Sequence, residues 1–383
     1  MKIIERYPAP FKMLAGRGAW ALLYPAKVLL AGVNRIRLAA GGHRPRGGSA
    51  LPSNRSVRPL VIGIGNLEAG GAGKTPCSLR IARGIAERGG TPVVISRGYG
   101  SIAERRAPCV VPSGRELSVG RSAEVLTDEA LLASLPGGPD GDASAADALG
   151  DEILLYRSRG ISVVIDQNRG RGAELARRMF SPTHVILDDA FQNASIGKDV
   201  EILLLDAEHP FGNGHLLPLG TLRETPSAVR RADIVVFTRA ESECIPWEAR
   251  PYVADKHVFF ARHEASDLMD RSRHSLPLSL IDGRECVLFS AIARPESFER
   301  MVISLGARPR AAFRFVDHHR YTREDVQSML REAAGDVPFV TTEKDWAKAH
   351  ELFPPSAEVL VLRIEMRIGD IEGLLGLFAN SSS

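Results

Sequence analysis

Between the apolar run LVIGIGNL (residues 60–67) and a stretch of helical spacing from Lys74 to Arg88 stands Glu68-Ala69-Gly70-Gly71-Ala72-Gly73-Lys74-Thr75. A glycine-rich turn between a strand and a helix is what a phosphate loop requires. Glycines let backbone N–H groups turn inward around an anion, and the helix N-terminus adds positive potential. Lys74 then reaches the β and γ oxygens of a nucleotide, and the Thr75 hydroxyl serves Mg²⁺. Glu68 replaces the usual first glycine, so its carboxylate is expected to point away from the nucleotide. The expectation is MgATP bound at the end of a parallel sheet.

From Pro59 onward short β-branched runs alternate with helical stretches, the pattern of a P-loop-type α/β fold whose parallel strands are joined by crossover helices. Strands are predicted at 60–67, 92–96, 161–165, 184–188, 200–206 and 233–238, with helices over 74–88 and 170–179. A Gly, Pro, Ser, Asp and Ala-rich stretch, about 112–149 with PGGPDGDAS at its centre, predicts a surface insertion or mobile loop. A second alternating block, with strands near 257–261, 286–290, 311–315, 339–342 and 359–364, predicts a smaller α/β domain over 241–383, after a core domain over 59–240. At 383 residues and 44% apolar content the chain can fill about two such cores.

HVILDD (184–189) is an apolar run ending in two acids, Asp188 and Asp189. Such a strand ends beside a phosphate loop and holds Mg²⁺ through carboxylate oxygens or bound water. The rival reading is a solvated turn, but Ala190, Phe191 and Gln192 follow rather than turn formers. Cys77, Cys109, Cys244 and Cys286 are far apart, form no C-x-x-C pair and sit singly in apolar segments, which predicts reduced thiols rather than bridges or ligands.

Charge is distributed unevenly. Residues 1–58 hold eleven Lys or Arg against Glu5 alone, a net +10, so the other 325 residues carry −7 of the chain's +3. The basic residues surround an apolar run, Ala19 to Val33, containing Trp20, Leu22, Leu23, Tyr24, Val28, Leu29 and Leu30. That pairing suits an anionic bilayer surface better than nucleic acid. Pro25 and Lys27 interrupt the run, which is too short to span a membrane. No cleavage site marks a secretory signal. Two readings remain, a helical segment lying on the membrane and a helix pair packed on the protein's own core.

The words GNLEAGGAGKTP (65–76), SRGYG (96–100), GDEILLY (150–156), ILDDAFQN (186–193), FGNGHLLPLGTLRE (211–224), VDHHRY (316–321) and TEKDWAK (342–348) occur in one order along nearly the whole chain. In them the chain resembles the tetraacyldisaccharide 4′-kinase family, the lipid A 4′-kinases of Gram-negative bacteria. The resemblance implies phosphorylation of an acylated glucosamine disaccharide 1-phosphate at its free 4′-hydroxyl. It also implies a peripheral location on the cytoplasmic face of the inner membrane and a site drawing on both domains. Asp151 matches the carboxylate that pairs with a histidine to activate the hydroxyl, and His318 matches that partner. Asp188, Asp189, Gln192 and Glu224 match positions implicated in Mg²⁺ and nucleotide handling, and Arg223 matches a phosphate-side cation. From the residues alone, Asp151 equally suits a helix cap, and His318 and His319 a surface turn. Glu343, Lys344 and Asp345 suit a helix cap or a link between domains.

Three positions depart from the family pattern: Asn193 where a histidine usually follows Phe-Gln, Glu68 where a small hydroxyl residue is usual, and AIARPESF (291–298) in place of a more glycine-rich segment. The rival enzyme is a membrane-tethered P-loop ATPase of the partitioning or targeting kind, which usually carries a second lysine early in the loop, where this chain has Ala69. A further rival is a lipid-surface module that only senses nucleotide.

Overall fold

The computed structural model describes residues 1–6, 58–99, 101, 103–104, 108–113, 124–125, 149–316, 319–333 and 337–380. Its strands, in chain order, are β1 (Lys2–Arg6), β2 (Leu60–Asn66), β3 (Pro92–Ser96), β4 (Cys109–Val111), β5 (Glu124–Val125), β6 (Ser162–Ile165), β7 (His184–Leu187) and β8 (Val200–Asp206). There follow β9 (Ile234–Thr238), β10 (His257–Met269), β11 (Ser275–Leu276), β12 (Glu285–Ser290), β13 (Arg308–Phe315), β14 (Phe339–Thr342) and β15 (Val359–Ile368). The helices used below are α1 (Lys74–Glu87), α2 (Asp151–Ser158), α3 (Arg169–Phe180), α4 (Pro295–Ser304), α5 (Arg323–Ala333), α6 (Glu343–Ala349) and α7 (Ile371–Asn380).

The chain divides into two units. One takes the described residues from 58 to His263 and then residues 366–380; the other takes residues 1–6 and Glu264–Glu365. In the first unit the strand order is β10-β9-β8-β2-β7-β3-β6, all parallel, with β4 antiparallel against β6 and β5 alongside β4. Every residue of β2 is buried, because helices cover both faces of the sheet. Ile62 and Ile64 face a core shared with Ile81 and Ile85 of α1 and with Leu374, Leu375 and Phe378 of α7. Val61 faces the opposite core with Ala173 and Ala176 of α3. The successive strands β7 and β8 lie on opposite sides of β2, so the winding reverses there and a crevice opens at the carboxyl ends of these strands.

In the second unit β1, β13, β12, β14 and β15 form a parallel sheet in that order. Phe289, Phe313, Phe339 and Trp346 fill one face, and Leu288, Phe298, Val302 and Leu360 the other. Thr342 caps α6 by accepting from the Asp345 N–H at 3.2 Å, and donates to the Asp345 carboxylate at 2.7 Å. The capping reading of this segment therefore applies to Asp345.

Three expectations change. Residues 2–6, expected within a helical membrane segment, form the edge strand β1, whose backbone pairs with Ala311 to Phe315 and whose Ile4 packs on the second core. The remainder of that segment lies outside the described residues. The division falls after His263, within β10, rather than after residue 240. Residues 366–380 return to the first unit, where the apolar side of α7 completes the core over α1. Finally, Glu124–Val125, within the expected loop, pairs as β5 with Cys109 and Val110; residues 114–123 and 126–148 lie outside the described residues.

All four cysteines are free. Cys77, Cys109 and Cys286 are buried, whereas Cys244 is exposed, contrary to its apolar-looking neighbourhood. Burial pushes the Cys77 thiol up to about 12, with the charge of Asp188 adding to the effect.

Candidate active site

The glycine-rich loop leaves β2 at Asn66 and enters α1 at Lys74. Gly70 and Gly73 adopt φ values of 126° and 82°, which residues with a Cβ rarely reach. No acidic residue occupies the first turn of α1, so the positive end of the helix is uncompensated. The Lys74 ammonium donates to Asn66 Oδ1 at 3.2 Å and lies 3.6 Å from Asp189 Oδ1. Arg239, paired with Asp206 at 2.6 Å, donates to the Gly71 carbonyl at 3.0 Å and steadies the loop.

Glu68 does not face the loop's interior. Its carboxylate accepts from the Thr221 hydroxyl at 2.7 Å, and the same segment is laced to the loop by Ala69 N–H to Thr221 O (2.7 Å) and Arg223 N–H to Leu67 O (2.6 Å). The FGNGHLLPLGTLRE word is therefore the loop's second wall.

Asp188 and Asp189 follow β7 directly beside β2. Gly65 permits this approach, since a Cβ there would stand 2.7 Å from both the backbone nitrogen and the Cβ of Phe191. The two carboxylates diverge because Asp189 takes a left-handed φ of 48°. Asp188 turns inward, is 3% exposed, and accepts from Ser78 Oγ (3.2 Å), Tyr156 OH (3.0 Å) and the Asp189 N–H (3.1 Å). Burial, reinforced by the charges of Glu152 and Asp189, pushes its carboxyl up to about 6. Asp189 turns toward Lys74 and toward Arg223, whose Nη1 donates to it at 2.8 Å, and these cations hold its carboxyl below the usual range despite partial burial. Behind the turn, the buried Arg169 donates to the Asp188 carbonyl at 3.0 Å, and Lys198 donates to the Ala190 carbonyl at 2.6 Å.

Gln192 donates to the Asn66 carbonyl (3.0 Å) and to Glu224 (3.1 Å). Glu224 departs from its expected place at the metal. It is 6% exposed, and both of its oxygens accept from Arg231 at 2.8 Å, so it steadies Gln192 rather than presenting free oxygens. The donors left for Mg²⁺ are the Thr75 hydroxyl and the carboxylates of Asp188 and Asp189. Among the described residues no group of three His, Cys, Asp or Glu forms a ready cage. Mg²⁺ needs none, since it is commonly held by one or two carboxylates together with substrate phosphates. The donors are hard oxygens, and the Asp188 carboxylate has only neutral donors in direct contact, so the residues fit a dication.

Asp151 opens α2, after Gly150 at φ 86°. His318 lies outside the described residues. Its neighbour His319 is taken up locally, stacked on Phe315 at 4.7 Å and bonded to Asp325 at 2.9 Å.

Residues 19–135 and 139–381 match the family described as tetraacyldisaccharide-1-P 4′-kinase, LpxK. The chain belongs to this family. A tetraacyldisaccharide 4′-kinase of Anaeromyxobacter dehalogenans strain 2CP-C is 37% identical over 77% of this chain and 73% of its own length. The enzyme of that name from Anaeromyxobacter sp. strain Fw109-5 is 32% identical over 96% of this chain and 93% of its own. The fold resembles a crystal structure of LpxK from Aquifex aeolicus in complex with ATP, with a TM-score of 0.69, 24% identity, and 95% of this chain and 99% of that one covered.

Against the LpxK pattern, Asn193 forms a local turn, accepting from the Ser195 N–H at 2.9 Å and hydroxyl at 2.6 Å. Asn66, Ser78, Tyr156, Arg169 and Arg231 all contact site residues without having been singled out individually in the sequence. Asn66 and Tyr156 stand within the words quoted above, and Ser78 lies four residues after Lys74 and so on the same face of α1.

Proposed function

We infer that this protein is an ATP-dependent kinase that transfers the γ-phosphate to the 4′-hydroxyl of a tetraacyldisaccharide 1-phosphate in lipid A biosynthesis. The observation that carries the reading is the meeting, at the carboxyl ends of β2 and β7, of a glycine loop, Lys74 and a divergent acidic pair within a chain of the LpxK family. Lys74 contacts the β and γ oxygens of ATP, and Arg223 supports the phosphate side. Thr75, Asp188 and Asp189 would hold Mg²⁺, which would supply positive charge to offset that developing on the transferred group.

On the acceptor side, a sugar hydroxyl is a poor nucleophile, and the residues around the phosphates act on the donor. Asp151 takes or steers the hydroxyl proton, with His318 as its partner. The basic residues among 1–58 hold the enzyme at the anionic membrane surface where the lipid resides. Among the described residues, no helix is long and apolar enough to cross a membrane.

The test is purified protein with radiolabelled ATP and the acylated disaccharide 1-phosphate, with products resolved by chromatography. Label on the lipid supports the kinase, release of free phosphate alone supports an ATPase, and neither supports a nucleotide-sensing module. Lys74→Ala should lower transfer by ~10²- to 10³-fold or more, the scale for loss of one preorganised charge contact. Retention of over half the turnover with the fold intact would overturn the assignment of the loop.

A further inference from the structure

Tyr156 is fully buried within the first core, and its hydroxyl is the polar end of the side chain. That hydroxyl donates to Asp188 Oδ2 at 3.0 Å, while Ser78 of α1 donates to Oδ1 at 3.2 Å. The oxygen it serves belongs to a carboxylate without a directly bonded cation, and a buried charge of that kind is costly unless its lone pairs are satisfied. Tyr156 also lies on α2, one and a half turns from Asp151 at the start of the same helix.

We propose that Tyr156 is a positioning residue for phosphoryl transfer. Its hydrogen bond to Asp188 orients that carboxylate for Mg²⁺, and the same bond pins α2, and hence the backbone of Asp151, to the end of β7. One contact thus sets the metal side and the acceptor side of the site together. This inference rests on the reading of Asp188 as a metal ligand and Asp151 as an acceptor-side residue. The ring does the packing and the hydroxyl does the orienting, so the two are separable: Tyr156→Phe keeps the first and removes the second.

Three proteins are compared, the full-length chain, Tyr156→Phe and Asp188→Asn. Mn²⁺ binding to the enzyme–ATP complex is followed by electron paramagnetic resonance, ATP binding without metal by calorimetry, and transfer by kcat at rising Mg²⁺. Removing a hydrogen-bond partner behind a metal ligand typically weakens metal binding by ~10- to 100-fold. Tyr156→Phe should therefore bind Mn²⁺ about 10-fold more weakly, leave metal-free ATP binding unchanged, and lose kcat that excess Mg²⁺ only partly restores, because the displacement of α2 remains. Wild-type Mn²⁺ affinity and kcat in Tyr156→Phe, beside loss of Mn²⁺ binding in Asp188→Asn, would overturn the role of Tyr156 alone. Unchanged Mn²⁺ binding in Asp188→Asn would overturn the metal assignment beneath it. Equal weakening of metal-free ATP binding in Tyr156→Phe would show a purely structural residue and also defeat the proposal.

Discussion

Asp188 and Asp189 are neighbours in sequence and opposites in environment. One is enclosed by neutral donors and pushed up, the other is flanked by Lys74 and Arg223 and held down. The left-handed backbone at Asp189 produces that contrast, and Gly65 makes room for the turn that contains it. Gly65→Ala would place a methyl group against the Phe191 backbone, an overpacked contact costing ~1–3 kcal/mol. Chemical denaturation should register that loss, and ATP affinity should fall with it; an unchanged midpoint would show that the turn yields freely. For the acceptor side, Asp151→Asn should lower kcat by ~10²- to 10⁴-fold with little change in ATP affinity. Groups acting as one unit are not additive, so Asp151→Asn combined with His318→Ala should be scarcely worse than the weaker single variant. Independent multiplication of the two losses in steady-state kinetics would sink the pairing. The loop and the acidic pair were legible in the sequence because each depends on local order: strand, glycines, helix, or strand then acids. The Tyr156–Asp188 and Arg231–Glu224 bonds were not, since the partners are distant or chosen by packing.

Among the elements, α7 joins the first unit's core from the far end of the chain. Leu374, Leu375 and Phe378 are buried in the core shared with α1, and Gly84 of α1 gives Leu375 its space, since a Cβ there would stand 2.5 Å from Leu375 Cδ1. Leu374→Ala leaves a cavity under the helix that carries Lys74 and should cost ~2–5 kcal/mol in urea or guanidinium unfolding. A cost below ~0.5 kcal/mol would mean that α7 merely rests on the surface. Strand positions were readable from continuous apolar runs, which parallel sheets buried on both faces require. Strand ends were less so. β10 looked finished at residue 261 because Arg262, His263 and Glu264 break the apolar pattern, although its pairing continues to Met269.

For the whole molecule the charge division is the property with the longest reach. Residues 1–58 carry +10 in a chain of +3, and exposed charges act over about 8 Å at physiological salt. Because Lys2–Arg6 is a strand, deleting the segment would also strip β13 of one of its two partners, so charge replacement is the cleaner test. Changing Arg17, Lys27, Arg35 and Arg37 to Gln should remove roughly 1 kcal/mol of attraction per residue to anionic vesicles, leaving neutral vesicles unaffected. Equal flotation of both proteins on anionic lipid, or insensitivity to salt, would exclude an electrostatic membrane contact. The interrupted course of the chain has a consequence for biosynthesis. Residues 366–380 close the core over α1, yet they are translated only after the whole of Glu264–Glu365 has been made. On the ribosome, therefore, the glycine loop and its helix wait with one flank bare while a complete second unit is synthesised, an interval of ~5–20 s at ordinary elongation rates. Nascent chains in that interval are candidates for chaperone protection, and chains that terminate within it carry the loop's sequence without the finished core that supports it.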